Sequence, residues 1–340
     1  MKKNSVYLFA FLFAIQFSSV ASCKDFNFHQ VRQNSKSVKE KKSTLKILNW
    51  NAETFFDANF DGNEYSQFRG TSSHWTQEKY EKRLKNLVEV IKTVNADVVV
   101  IQELEKKEQL NDIFNSFCSS FNSSKNYNYA CFAKEDGAAI GLAVLSRLPL
   151  KNPTVHSIDI RSEVKKQPAL RPLLKVYVEK GGKDILLMIN HWKSKSGGEQ
   201  ESKIWREYQE TLLAENFLLA ENNGEKALAC GDFNQDINEF AKIHCDKNSF
   251  NIALGKEKSA EVYSPWFYDK ESLVMPGSYF FRNRWERIDH FFAGRGVNIL
   301  DFKVENKGAW ATDEGKPKRY AIKSASGYSD HFPISCKVEW

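Results

Sequence analysis

Leu45-Lys46-Ile47-Leu48-Asn49-Trp50 and Val98-Val99-Val100-Ile101-Gln102-Glu103 are the two stretches that decide the architecture of this chain. Each is a short, mostly apolar run that turns polar at its end, as a buried strand does when it presents groups at its tip. Between them Thr76 stands where a helix cap belongs, and Tyr80, Leu84, Leu87 and Ile91 recur at helical spacing. Ala96 and Asp97 lead into the second run. Strand, helix, strand makes one layered α/β unit.

Working outward, Tyr127–Ala133 and Ala139–Leu145 read as strands separated by the polar turn Lys134-Glu135-Asp136-Gly137. Leu173–Val178 and Ile185–Ile189 form another pair around Gly181-Gly182. A long helix is expected over Gln200–Ala220, with Ile204, Tyr208, Leu212 and Leu219 on its apolar side, before Ala227–Cys230 returns to strand. Further strands are expected at Ser278–Phe281, Ile288–Phe292, Val297–Val304 and Pro333–Val338. Hairpins mixed with helices favour a mixed-sheet α/β sandwich over a parallel doubly wound sheet. No repeat or Pro- or Gly-rich linker divides residues 44–340, which read as one domain. No Gly-x-Gly-x-x-Gly or Walker A element stands ready to cradle a nucleotide.

The 340 residues are 41% apolar and 27% charged, which excludes a disulfide-stapled miniature, a collagen-like repeat and a chain disordered throughout. The net charge of +6 permits an anionic substrate without demonstrating one. Lys2 and Lys3, the apolar run Val6–Ile15 and the small residues up to Ser22 make residues 1–22 a secretion signal, too short to read as a transmembrane helix. Val20-Ala21-Ser22-Cys23 resembles the bacterial lipobox, which implies a lipid anchor at Cys23; plain cleavage after Ser22 is the alternative. Residues 23–43, with Lys36, Lys39, Lys41 and Lys42, read as a polar tether. Cys118, Cys131, Cys230, Cys245 and Cys336 remain; Cys118–Cys131 and Cys230–Cys245 are the nearest pairs for disulfides that export would permit. No Cys-x-x-Cys supports a thiolate-held metal.

The chemistry gathers just after the strands. Asn49-Trp50-Asn51-Ala52-Glu53, Gln102-Glu103, Asn190-His191-Trp192-Lys193-Ser194, Gly231-Asp232-Phe233-Asn234, Arg287-Ile288-Asp289-His290 and Ser329-Asp330-His331 follow one another along the chain. Singly each has a plain structural reading, Asp-x-Asn as an Asx turn or His331 as a satisfied buried histidine. Burying all of them for architecture alone would incur desolvation costs that ordinary packing avoids.

In order and content these groups resemble the endonuclease/exonuclease/phosphatase superfamily, the DNase I-like metal-dependent phosphoesterases, from about Leu45 to Val338. The resemblance implies an α/β fold, a DNase I-like sandwich of two mixed β-sheets flanked by helices. It implies catalytic roles for His191, Asp232, Asn234, Asp289, Asp330 and His331, and a phosphate contact at Arg171. Asn51, Glu103 and Asp330 would hold Mg²⁺, with Mn²⁺ as a substitute and an additional Ca²⁺ left open, because a hard cation takes oxygen ligands and offsets charge built up at phosphorus. Asp330 would accept an N–H from the His331 ring, and His331 would activate water. Asp232 would orient that water, Asn234 would donate to a phosphate oxygen, and His191 would donate to phosphate or protonate the leaving alkoxide. Asp289 either acts directly or supports a histidine. Lys193 and Lys195 would attract a second phosphate of a polymer, or else form a solvated loop.

Asn51-Ala52-Glu53-Thr54-Phe55-Phe56-Asp57 resembles the wording of bacterial secreted or surface nuclease-like members. The leading expectation is therefore a monomeric cell-envelope endonuclease, lipid-anchored or otherwise secreted or periplasmic, cutting DNA and also RNA. A phospholipid or sphingomyelin phosphodiesterase, a small-molecule phosphatase and a noncatalytic surface-binding lipoprotein are the alternatives. A basic groove leading to His191 and His331 favours nuclease; an apolar hairpin at its rim favours lipid. Trp266-Phe267-Tyr268 is read either as a stacking or lipid-touching loop or as packing, and Asp61-Gly62-Asn63-Glu64 as a candidate structural cation site.

Overall fold

The run from Leu45 becomes β1 (Thr44–Phe55), and β2 (Val98–Leu104) lies parallel to it, with Ile47 opposite Val98 and Asn51 opposite Gln102. A parallel pair needs a crossover, and α1 (Gln77–Val94) supplies it. Thr76 caps its first turn by accepting from the Lys79 amide at 3.4 Å, and Asn95 ends it in the left-handed conformation. Tyr80, Leu87 and Ile91 share one apolar cluster with Leu48, Trp50, Val99 and Ile101.

The same construction recurs. β7 (Lys183–His191), α3 (Glu199–Asn222) and β8 (Ala227–Asp232) form a second strand–helix–strand unit, parallel from Leu186 opposite Ala227 to His191 opposite Asp232. Around β1 and β2 the first sheet adds β3 (Tyr129–Ala133), β4 (Gly141–Ser146), β15 (Asn298–Val304) and β16 (Ile334–Glu339), in the order β15-β16-β1-β2-β4-β3. Around β7 and β8 the second adds β5 (Leu150–His156), β6 (Leu173–Lys180), β9 (Ala241–Asp246), β10 (Ser249–Leu254), β11 (Ala260–Tyr263) and β14 (Asp289–Ala293), in the order β5-β6-β7-β8-β14-β11-β10-β9. A separate hairpin pairs β12 (Tyr279–Phe281) with β13 (Arg284–Glu286). The sheets meet face to face, with β8 against β1 and β2, over a core that includes Val98, Val100, Val176, Leu187 and Ile334. A short helix α2 (Gln109–Cys118) completes the elements.

The computed structural model describes residues 42–69, 71–118, 126–160, 166–246, 249–268 and 272–340. Within it Lys42–Trp340 is one compact unit. The expected signal at 1–22 and nearly all of the tether at 23–43 lie outside the described residues, Cys23 included. Among the described residues no helix is long and apolar enough to cross a membrane.

Three expectations need correction. The buried face of α3 carries Trp205, Leu213, Phe217 and Ala220, whereas Ile204, Tyr208 and Leu219 are exposed. The inward stripe reads as polar because Arg206, Gln209 and Asn216 belong to it, and each is satisfied: Arg206 donates to the Lys193 carbonyl, Gln209 accepts from the Lys193 amide, and Asn216 accepts from Lys175. Neither suggested disulfide forms, since Cys131 and Cys230 are free thiols. Cys230 lies in the interior of the sandwich near Cys336, and burial pushes both thiols up, leaving them inert as nucleophiles at neutral pH. Periodicity also passes over β5, an exposed edge strand, and β9–β11, at the far end of the second sheet.

Candidate active site

His191, Asp232 and Asp289 come from three adjacent strands of the second sheet. They stand in register at the strand ends, His191 beside Asp232 on β8 and Asp232 beside Asp289 on β14. Cross-strand neighbours point to the same face, so regular pairing alone brings an imidazole and two carboxylates together. All three are buried.

The first sheet delivers its groups differently. β1 slips register between Asn51 and Phe55, and β2 slips between Gln102 and Leu104. Strict alternation would turn Glu103 toward the helix layer, where Val99 and Ile101 point. Instead Glu103 takes φ 71°, and the bulge aims its carboxylate into the site. Glu53 (φ 52°) and Thr54 (φ 47°) are both left-handed, and the Thr54 amide donates to Glu103 Oε2. The guanidinium of Arg83, entirely buried on α1, holds that turn. It donates to the Thr54 carbonyl at 2.9 Å, the Ala52 carbonyl at 3.0 Å and the Glu53 carbonyl, and it lies 4.1 Å from the Tyr320 ring centroid.

Asn51 joins the two sheets. Its Nδ2 donates to Glu103 Oε1 at 3.0 Å and to Asp232 Oδ2 at 2.9 Å, and its Oδ1 accepts from the Glu53 amide. His331 completes the seam. Ser329 Oγ donates to the Asn51 carbonyl and accepts from the His331 amide, and Trp50 Nε1 donates to the His331 carbonyl, so the histidine is tied to the end of β1.

Asp289, rather than the expected Asp330, accepts from the His331 ring. Asp289 Oδ2 lies 2.8 Å from Nδ1, whereas Asp330 Oδ1 is 3.9 Å from Nε2 and faces Arg319. The Asp330 carboxylate is drawn to the Arg319 guanidinium at 3.8 Å, while β14 brings Asp289 to Nδ1. With Nδ1–H committed to Asp289, Nε2 is the atom that exchanges a proton with the cleft. Burial alone would lower the His331 pKa; the charges of Asp289, Asp232 and Asp330 overcome it and hold the ring well above its ordinary value. Burial raises Asp232 to about 7, opposed by His331, by Asn51 and by the Asn234 backbone amide.

His191 goes the other way. Burial, then the charges of Arg171, His331 and Lys193, hold it well below the ordinary histidine range, so it is neutral at neutral pH. A neutral ring can donate a hydrogen bond to phosphate, one of the two roles expected for it. Arg171 lies across the ring, its Nε donating to Nδ1 at 3.3 Å and its Nη2 2.7 Å from Nε2; Nε2 is also 3.6 Å from Glu103 Oε1 and 3.7 Å from Asp232 Oδ2. The Asn234 side-chain amide donates to the Trp192 carbonyl at 3.1 Å. Lys193 is turned away, donating to the Ser194 and Ser196 carbonyls, and Lys195 lines the cleft but pairs with Glu239 at 2.6 Å.

These groups line an open cleft of about 1200 Å³. Sequence reasoning named Glu53 only within its strand-end group, with no role, and missed Tyr65, Tyr279, Phe281, Arg282, Arg284 and Arg319 there. Glu53, raised to about 7 mainly by burial and then by Asp330, pairs with Arg319 at 2.6 Å. For the hairpin residues the one sequence signal is position: the SYFFRNRWE run directly precedes Arg287-Ile288-Asp289. Trp266 and Phe267, by contrast, are core residues, with Tyr268 alone exposed.

The donor set suits a hard cation. Glu103 Oε1 and the Asp330 carboxylate offer oxygen at the cleft wall, and Mg²⁺ or Mn²⁺ binds through one or two carboxylates while keeping its waters. Among the described residues no group of three His, Cys, Asp or Glu side chains is placed to hold a metal ion. The extra Ca²⁺ site has no support at Asp61-Gly62-Asn63-Glu64. There Glu64 caps the Asp61 and Gly62 amides, and the Lys106 ammonium sits 2.9 Å from Asp61 and 3.1 Å from Asp57, where a cation would be.

A sandwich of two mixed sheets, with carboxylates, amides and two histidines at the seam, defines a DNase I-like phosphoesterase fold. The sequence model of the Endonuclease/Exonuclease/phosphatase family matches residues 46–340, and the chain belongs to that family. Its members are phosphoester hydrolases that generally use divalent metal ions. No curated protein matches the sequence. Among solved structures, truncated TDP2 from Caenorhabditis elegans is similar at TM-score 0.51 and 16% identity, over 87% of this chain and 98% of that one. The human Nocturnin catalytic domain with bound sulfate is similar at 0.52 and 14%, over 87% and 97%. An endonuclease/exonuclease/phosphatase family protein from Bacteroides thetaiotaomicron is similar at 0.50 and 16%, over 88% and 99%.

Proposed function

We propose that this chain is an exported, divalent-metal-dependent endonuclease that cleaves the phosphodiester bonds of DNA and, less selectively, RNA. The observation that carries the reading is the convergence of His331, His191, Asp232, Asn51 and Glu103 on one open cleft of about 1200 Å³. That exceeds the roughly 300–1,000 Å³ usual for a small-ligand pocket, which favours a polymer over a small phosphate ester.

Glu103 and Asp330 would hold Mg²⁺ or Mn²⁺, with Asn51 orienting Glu103. When bound, the ion supplies charge neutralisation at the phosphate. His331 holds or releases a proton at Nε2, with Nδ1 fixed on Asp289. Asp232 lies 4.0 Å from that nitrogen and keeps the proton within a shared pair. Arg171 and His191 provide N–H donors for non-bridging oxygens, and Asn234 joins them once its side-chain amide leaves the Trp192 carbonyl. The leader and Cys23 support delivery to a bacterial cell envelope with a lipid anchor.

Cleavage of supercoiled plasmid tests the reading, run with Mg²⁺ or Mn²⁺, with EDTA, and beside His191→Ala. Metal-dependent nicking that is lost in the variant is expected. Folded, metal-supplied protein that leaves plasmid intact would refute the DNA assignment, and sphingomyelin and phosphomonoesters would be the next substrates.

A further inference from the structure

The hairpin β12–β13 forms one wall of the cleft, and nothing in the chemistry above uses it. Its base is fixed to the catalytic histidine: Tyr279 forms an antiparallel bridge with His331, and the Phe332 amide donates to the Ser278 carbonyl at 2.7 Å. Along β12 the side chains alternate. Phe280 turns to Trp285, 5.0 Å away edge-on, while Tyr279 and Phe281 share the cleft face. The Tyr279 ring lies 4.7 Å from the His331 ring, and the Phe281 ring continues the row at 6.0 Å and 22°. A row of flat faces thus leads from the reacting histidine toward solvent, ending on Phe281 at 47% exposure.

Two arginines flank the end of that row. Other cations of the cleft are engaged: Arg171 with His191, Lys195 with Glu239, Arg319 with Glu53. Among the described residues Arg282 and Arg284 have no carboxylate partner, and the Arg282 guanidinium lies 5.1 Å from the Phe281 ring centroid. Guanidinium groups without a carboxylate partner, one of them lying over the half-exposed Phe281 ring, suit a base that stacks there once Arg282 swings to the phosphate next to it. A base inside a duplex has both faces covered by its neighbours, whereas an unpaired base offers one.

Resting on the phosphodiesterase reading, we propose that the β12–β13 hairpin is a subsite for an unpaired nucleotide, with Phe281 stacking on its base and Arg282 and Arg284 holding the adjacent phosphate. Single strands, and frayed or looped regions, are then the preferred substrate. A lipid-contacting hairpin would carry its apolar surface at the tip and away from the site; here the turn is Arg282-Asn283, and the aromatic row runs inward to His331.

Fluorescence anisotropy in EDTA reads this without turnover, using a labelled single-stranded oligonucleotide, the same sequence as a duplex, and phosphatidylcholine vesicles. The wild-type protein is expected to bind the single strand more tightly than the duplex. Phe281→Ala should weaken single-strand binding by about 5- to 150-fold, the range of one lost base stack, and duplex binding by under about two-fold. Arg282→Ala/Arg284→Ala should weaken both and reduce the salt slope by about one, for the one phosphate the pair holds. Equal affinity for single strand and duplex, or an unchanged Phe281→Ala, overturns the subsite. Vesicle binding that depends on Phe281, with no binding of the single strand, overturns it in favour of lipid. Circular dichroism confirms folding of each variant. Hydrolysis of bis(p-nitrophenyl) phosphate with Mn²⁺, measured separately, judges the phosphodiesterase reading, so its failure is distinguishable from failure of the subsite.

Discussion

The two sheets bring side chains to the same seam by opposite means. In the second, β7, β8 and β14 keep register up to their cleft ends, and His191, Asp232 and Asp289 line up by pairing alone. In the first, β1 and β2 break register just before the cleft, and Glu103 reaches the site only through a bulge with left-handed backbone at Glu53, Thr54 and Glu103. Both crossover helices contribute a buried arginine, but to different degrees. Arg83 binds three consecutive carbonyls of the bulged turn, whereas Arg206 binds one carbonyl beyond β7, Lys193, and two groups at the start of its own helix. A regular sheet needs little support to aim its ends; a bulged one needs a clamp.

The largest effect should come from the regular side, where chemistry rests directly on alignment. Asp289→Asn keeps the shape but removes the charge that holds His331, and kcat on a phosphodiester should fall by about 10²–10⁴-fold. If Asp330→Asn, and not Asp289→Asn, abolished the His331-dependent limb of the pH–rate profile, the assignment of the ring's partner would be wrong.

The clamp is tested by stability. Arg83→Met strands three carbonyls that the guanidinium now satisfies and should cost about 3 kcal/mol or more in urea denaturation. Arg206→Met should cost less, and equal losses would erase the contrast between the two halves.

A smaller effect separates the core of the second sheet from its site. His290 alternates away from Asp289, stacks on Phe292 at 4.9 Å and places Nε2 2.8 Å from the Gln235 carbonyl. Burial lowers its pKa to about 4. The unfolded chain therefore binds this proton first, so the contribution is complete above about pH 6.5 and is lost as pH falls toward 4. His290→Phe should flatten the fall in Tm between pH 6.5 and 4.5; an unchanged slope would show that other groups set the acid limb. The smallest effect is local: Thr54→Asn exchanges a β-branched residue for one that tolerates φ 47°, and should stabilise by about 0.5–1 kcal/mol in the same urea titration.

Much of this architecture is legible in the amino-acid sequence. Runs such as Leu45–Trp50, Val98–Ile101 and Ala227–Cys230 read as strands because burial on both faces leaves no polar alternation to confuse them. The polar clusters after them read as a site because carboxylates, amides and histidines at successive strand ends have little use in packing. The apolar face expected for α3 is misplaced because its inward stripe contains Arg206, Gln209 and Asn216, whose partners lie on other elements.

By itself, then, the sequence determined the strand–helix–strand units, the family, and the identity of nearly every group at the seam, since local periodicity and residue chemistry are properties of short stretches. Which carboxylate holds His331, where Glu103 points, which lysines face away and which hairpin walls the cleft were decided only by the tertiary structure. Those depend on register slips, on side-chain direction and on partners hundreds of residues apart, as when Ser329 ties His331 to Asn51. A sequence carries such distances only after the chain has folded.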